Sequence, residues 1–145
     1  TACDGPASTV MEINGHEWQF TDDNARGACS IQIVDDGTIA PTAAGGSIAF
    51  TPDLSEAALQ YMWNTYFPDL IGTYGFKDAF NLTYVTHETP NGWFDKDYLG
   101  IDQGPILLMI ENQHSGLIWK VMKKNPYIVA GLKKAGFKGG WLNEK

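Results

Sequence analysis

Apolar residues recur every three or four positions through Ile106, Leu107, Ile110, Leu117, Ile118, Val121 and Met122, which predicts one long buried helix from Pro105 to Met122. Gly104 and Pro105 suit a tight turn followed by a first helical position, where the missing proline N–H costs nothing. Asp102 and Gln103 are therefore expected at the helix entrance, a place where small polar ligands are bound. Glu111 falls inside the apolar arc, flanked by Leu107, Ile118 and Met122, with His114 one turn on and Ser115 beside it. A second helix is expected from about Tyr127 to Ala135, closed by Gly136. A third begins near Ser55 and carries Leu59, Met62, Trp63 and Phe67 on its apolar side; it stops before Pro68, because a residue preceding proline disfavours the helical region.

Elsewhere the periodicity is short. Thr9 to Ile13 and Ser30 to Val34 alternate and predict strands or a hairpin, while most of residues 1–36 reads as loop. Pro41 opens a small-residue segment, Thr42 to Phe50, suited to close helix packing and ended by Pro52. From Ile71 to Gly100, aromatic residues alternate with Gly, Asn, Asp and Pro, which predicts a long structured loop of the kind that carries function. Helices joined by elaborate loops bearing aromatics and carboxylates make a poor self-contained bundle and fit part of an α/α toroid whose loops line a cleft.

Composition narrows the function classes. The 145 residues, 43% hydrophobic, suit one modest domain. A net charge of −7, with no basic cluster beyond Lys123-Lys124 and Lys133-Lys134, argues against nucleic acid as a partner. No apolar run approaches the roughly 20 residues that span a bilayer, so no membrane partner is expected. The chain starts with Thr1 and shows no signal peptide, which marks a processed product or a piece of something longer. Cys3 and Cys29 could form one disulfide, but their spacing does not decide it.

Sugars offer apolar C–H faces for stacking and hydroxyls for paired hydrogen bonds, so rings beside carboxylates and amides suit a carbohydrate site. Trp93, Phe94, Tyr74 and Phe80 could supply faces, and Asp78, Asn81, Asp102 and Gln103 hydroxyl contacts. For Phe76 and Phe80 a role as core anchors is as good a reading, whereas Trp93, between Asn91-Gly92 and Asp95, is expected to be exposed. Glycoside hydrolysis uses two carboxylates flanking the scissile bond. Glu111, buried among apolar neighbours, would have a raised pKa; pairing with His114 or bonding to backbone, with a purely organising role, is the favoured alternative. Asp35-Asp36-Gly37 and Asp4-Gly5-Pro6 read as turns. His16, His87 and His114 lack metal-ligand spacing, so neither a metal nor any other cofactor is expected.

Several ordered motifs carry a resemblance: Thr1-Ala2-Cys3-Asp4-Gly5-Pro6, Asp35-Asp36-Gly37-Thr38-Ile39-Ala40-Pro41-Thr42-Ala43-Ala44, Tyr74-Gly75-Phe76-Lys77-Asp78-Ala79-Phe80-Asn81, Leu99-Gly100-Ile101-Asp102-Gln103-Gly104-Pro105 and Met109-Ile110-Glu111-Asn112. Together they resemble the glycoamylase-like family of bacterial glycoside hydrolases, which includes glucoamylase-like proteins and endo-β-1,2-glucanases. The resemblance implies a mainly α fold, an (α/α)6 toroid, of which residues 1–145 look like the C-terminal segment of the catalytic domain, with the upstream half of that domain as a partner. It implies that Asp4, Asp36, Asp78, Asn81, Trp93, Asp102, Gln103 and Glu111 border a glucan cleft, and that the general acid lies upstream. Glu111, Asp36 and Asp102 are then the candidates here for a catalytic carboxylate. Where family members read Glu-Asn-Tyr-Arg-Ser-Gly, this chain has Glu111-Asn112-Gln113-His114-Ser115-Gly116, a titratable imidazole in place of a permanent cation. The implied activity is hydrolysis of a glucan, β-1,2-linked, by acid/base catalysis with inversion, in a periplasmic or secreted bacterial protein. A non-catalytic carbohydrate-binding or structural remnant is the alternative.

Overall fold

The computed structural model describes residues 2–26 and 35–143, so the expected strand at Ser30 to Val34 and any Cys3–Cys29 bond lie outside the described residues. Residues 2–26, expected to be mostly loop, form four strands. β1 (Ala2–Asp4) pairs antiparallel with β4 (Asp23–Ala25). β2 (Thr9–Ile13) forms a hairpin with β3 (His16–Phe20), not with the Ser30 region. Its two-residue turn uses Asn14 at φ 55° and Gly15 at φ 76°, the residue pair that best tolerates left-handed backbone and matches strand twist.

A three-stranded sheet in the order β5 (Thr38–Ile39), β8 (Phe80–Asn81), β9 (Trp93–Phe94) lies next to the main core, and β6 (Ile71–Gly72) pairs with β7 (Gly75–Phe76). Each of these strands is two residues long, so the segment from Ile71 to Gly100 is, as its composition predicts, mostly irregular. The core joins Met62, Leu70, Ile71 and Phe80, with Ala58, Tyr66, Phe76 and Phe94 against them. The Phe80 and Phe94 rings stack at 5.8 Å and Tyr66 leans on Phe80 at 5.0 Å. Phe76 and Phe80 are thus core anchors and do not face a sugar.

Helix boundaries move from those expected. α1 (Pro41–Gly45) is a single turn, and α2 (Pro52–Tyr66) begins at Pro52, which serves as an N-terminal helical residue where a stop was expected. The expected long helix is two. α3 (Gly100–Ser115) starts five residues before Pro105, which lies inside it, and ends where Gly116 turns left-handed at φ 68°; α4 (Leu117–Lys123) follows. Glycine enters that conformation without the Cβ clash other residues meet. Asn112 bridges the break, its side-chain oxygen accepting the Trp119 N–H at 3.0 Å. The break removes the shared register that placed Ile118 and Met122 beside Glu111. α5 (Pro126–Lys134) matches expectation, with Asn125 accepting the Tyr127 and Ile128 N–H groups and Gly136 at φ 88° beyond its end. A short 3-10 turn closes the described chain at Gly140–Asn143.

The apolar stripe of α3 and α4 is not buried within the described residues. α3 buries Asp102 and Asn112, while Leu107 is 69% exposed and Met122 46%. No described helix is long and apolar enough to cross a membrane. Contact between α1 and α3 depends on Gly45, where a Cβ would lie 2.7 Å from Ile106 Cγ1. Gly45→Val is therefore expected to destabilise by about 1–3 kcal/mol through overpacking, read as a lower urea midpoint; an unchanged midpoint would show that this contact yields freely.

Candidate functional site: acidic residues around the start of α3

Two buried polar assemblies lie among the described residues. The first is an ion pair. Arg26 Nη2 stands 3.0 Å from Asp36 Oδ2 and Nε 3.2 Å from Oδ1, with the side chains 6% and 0% exposed. The guanidinium also donates to the carbonyls of Cys3 (2.5 Å), Thr21 (2.9 Å) and Asn24 (3.2 Å), joining β1 to β4. Burial by itself would raise the Asp36 pKa, but hydrogen bonds from Arg26 and Thr38 outweigh it and hold the carboxyl below its ordinary value. Asp36, expected in a plain turn or as a catalytic candidate, is fully engaged by internal donors.

The second assembly is anionic. Asp78 is fully buried, and its Oδ2 accepts the Asp4 backbone N–H at 2.7 Å. Burial, together with the adjoining Asp102 carboxyl, pushes Asp78 up to about 7 against the opposing Asp4 N–H bond. Burial likewise raises Asp95, despite hydrogen bonds from the Lys96 and Asp97 N–H groups, and raises Asp4, with Asp95 and Asp78 adding repulsion. Asp95 Oδ2 is buried without a hydrogen-bond partner, and the buried Asp78 and Asp102 carboxyls have no donor but the proton that Asp78 retains between them. Burial also raises the thiol of Cys3, which is enclosed beside Arg26.

The sequence-derived site residues separate accordingly. Asn81 was expected to reach sugar hydroxyls, but it is buried and its amide donates to the Asp36 carbonyl (2.8 Å) and Thr38 Oγ1 (2.9 Å) while its oxygen accepts the Thr83 and Tyr84 N–H groups. Internal strand pairing consumes its capacity. Trp93, expected to be exposed, is half-buried against Cys3, Ala40 and Ala79. Gln103 is half-buried, with Nε2 donating to the Phe76 carbonyl at 2.5 Å. Tyr74 is 75% exposed, its ring edge-on to Tyr98 at 5.4 Å. Phe94 belongs to the core. Glu111 is half-buried and accepts the Ser115 hydroxyl at 2.5 Å, while His114 is exposed, so the carboxylate is held within its own helix.

Asp102 differs from the others. It sits in the first turn of α3, where the partial positive charge of the helix end favours a carboxylate. It borders a recess of about 390 Å³ between α1 and α3, shared with Thr42, Ser47, Ile101 and Pro105. Thr42 Oγ1 is buried there without a partner. A larger groove of about 590 Å³ lies between the β2–β3 hairpin and residues 82–85; Asn14, His16, Trp18 and Thr83 line it, and no carboxylate does. Arg26, Thr42 and Asp95 were not singled out from sequence. A lone arginine, a threonine and an Asp-Lys-Asp turn carry no local signal, because their partners are supplied by distant segments.

Residues 1–126 match the family model Glycoamylase, described as putative glucoamylase. An exo β-1,2-glucooligosaccharide sophorohydrolase of Parabacteroides distasonis is 38% identical over 100 residues, 69% of this chain and 13% of that protein. The crystal structure of a putative glucoamylase from Bacteroides uniformis aligns over 99% of this chain and 29% of its own, with a TM-score of 0.69 and 39% identity. The endo-β-1,2-glucanase of Chitinophaga pinensis, solved with sophorotriose and glucose, aligns over 92% of this chain and 28% of its own, with a TM-score of 0.63 and 36% identity. The chain thus spans less than a third of the length of each of these relatives.

Proposed function

This chain belongs to the glycoamylase family, and from that premise we propose that it forms one wall of the glucan-binding cleft of a glycoside hydrolase acting on β-1,2-linked glucan. The hydrolysis is by acid/base catalysis with inversion, in an (α/α)6 toroid completed by residues upstream of this segment. The observation that carries the reading is Asp102: a carboxylate at a helix start, hydrogen-bonded to the Asp78 carboxyl, beside a recess. The relatives named for action on β-1,2-glucans support the linkage. Many exposed large apolar residues, among them Leu54 (73%), Leu107 (69%) and Tyr127 (86%), support coverage by an upstream half. Export to the periplasm or beyond the cell belongs to the same proposal, because a polymeric glucan is met outside the cytoplasm.

The test is proton NMR of products released by the intact protein from β-1,2-gluco-oligosaccharides. Initial release of the α-anomer is expected. Initial release of the β-anomer would overturn inversion, and turnover of other linkages alone would overturn the substrate. Glu111→Gln is expected to keep activity within about threefold, because an i,i+4 helix pair such as Glu111–Ser115 contributes only tenths of a kcal/mol. Loss of all activity in a folded Glu111→Gln protein would instead make Glu111 catalytic. A structural or carbohydrate-binding role without catalysis is favoured by one observation, the closure of Asp78, Asp95 and also Asp102 from solvent, which leaves no exposed carboxylate among them to act on a sugar. Glucan binding without turnover by the intact protein would select it.

A further inference from the structure

Asp4, Asp78 and Asp95 come from three separate segments: the end of β1, the stretch before β8 and the residue following β9. Each brings one carboxylate oxygen within 4.8 Å of the others. The remaining capacity of the two most buried is already fixed. Asp78 Oδ2 takes the Asp4 N–H at 2.7 Å, and Asp95 Oδ1 takes the Lys96 N–H at 2.6 Å. Asp95 Oδ2 has no partner, and Asp78 has none beyond the Asp4 N–H and the adjoining Asp102 carboxyl; Asp78 and Asp95 are 0% and 7% exposed. Buried polar atoms in folded proteins are nearly always satisfied, and a buried carboxylate is matched by a cation, a donor or a metal. Arg26 lowers the Asp78 pKa through space but spends its hydrogen bonds on Asp36 and on the Cys3, Thr21 and Asn24 carbonyls.

We propose that Asp4, Asp78 and Asp95 hold a calcium ion that clamps β1 to the segments flanking β8 and β9. Carboxylate oxygens suit a hard divalent cation. Calcium takes several carboxylate oxygens in a flexible geometry, whereas magnesium demands near-ideal octahedral geometry and keeps most of its waters, so three carboxylates brought in by separate segments suit calcium better. The ion is structural: it ties three separate segments together through two ligands, Asp78 and Asp95, that are shut from solvent. Sequence gave no hint, since Asp4 and Asp78 are 74 positions apart and no ligand spacing connects them. The proposal is independent of the glycosidase reading.

The intact protein is stripped with EDTA, dialysed and titrated with CaCl2 or MgCl2 by calorimetry, and its melting followed alongside. Calcium binding with a saturable rise in Tm of several degrees is expected, with magnesium at least tenfold weaker. Asp95→Asn keeps the acceptor for Lys96 and removes a charge; it is expected to weaken calcium binding at least tenfold. Asp4→Asn, at a half-buried residue, is the second variant should Asp95→Asn fail to fold. A folded, stripped protein that binds no calcium overturns the proposal, as does binding that persists unchanged in a folded variant of either residue.

Discussion

Replacing Arg26 with methionine is expected to destabilise the protein by about 3–5 kcal/mol, the largest stability effect of any single substitution considered. Methionine fills much of the volume but leaves Asp36, whose side chain is 0% exposed, as a buried charge without its counter-ion. Five donor contacts to Asp36 and to the carbonyls of Cys3, Thr21 and Asn24 disappear together. Urea unfolding measures the loss. The double substitution Arg26→Met with Asp36→Leu should recover a good part of it, because two apolar side chains leave no stranded charge. A loss below about 1 kcal/mol in the single variant would mean that water reaches Asp36 once Arg26 is gone.

The same pair sets an acid limit. Asp36 has a folded pKa below its unfolded value of 3.8, so the unfolded chain takes up a proton first on acidification. Its stabilising contribution is complete above the unfolded value and is lost as pH falls through the folded one. The Asp36 contribution to wild-type stability should therefore be lost below about pH 4, and this component should shrink in Arg26→Met, where only the Thr38 and Thr21 donors remain to oppose burial. Equal acid slopes in the two proteins would place the acid sensitivity elsewhere.

Asp102→Asn is expected to lower kcat of the intact protein on β-1,2-gluco-oligosaccharides by a factor of about 100 or more while shifting Tm by only a few degrees. The amide keeps the size of the side chain and one oxygen, but it cannot take a proton or carry full charge at the helix start. A carboxylate that acts on the sugar or its attacking water loses the whole of that function. One that merely fills space beside Asp78 loses a little stability and leaves KM and kcat nearly untouched. Activity within about threefold of wild type would remove Asp102 from the reacting groups and leave the upstream half to supply both carboxylates. Thr42→Val is a useful companion: it deletes an unpartnered atom bordering the recess without altering charge, so a change confined to KM would assign the recess to substrate binding.

Local chemistry made some of this legible from the residues alone. Asn125, Pro126 and Gly136 delimit α5 because a side-chain cap, a proline at the first turn and a left-handed glycine act within a few residues of where they are written. Alternation of aromatics with Gly, Asn and Pro announced the irregular stretch from Ile71 to Gly100, and the ordered motifs announced the family. Periodicity failed at Gly116. A seven-residue apolar recurrence does not say whether the backbone crossing it stays helical, and the Asn112 bond to the Trp119 N–H helps hold the turn.

The acidic site was decided by tertiary structure. Asp4, Asp78, Asp95 and Asp102 look like surface turn or helix-start residues, and their burial depends on strands and loops that meet from opposite ends of the chain. Arg26 and Asp36 are ten positions apart, with nothing in that spacing to mark a buried pair. The sequence by itself determined the limits of α5, the irregular stretch from Ile71 to Gly100 and the family, the first two because they depend on neighbours within one or two turns. Which carboxylates are shut from water, which atoms lack partners and which apolar faces stay open were decided by tertiary structure, because desolvation and charge interaction depend on distance in space and not along the chain.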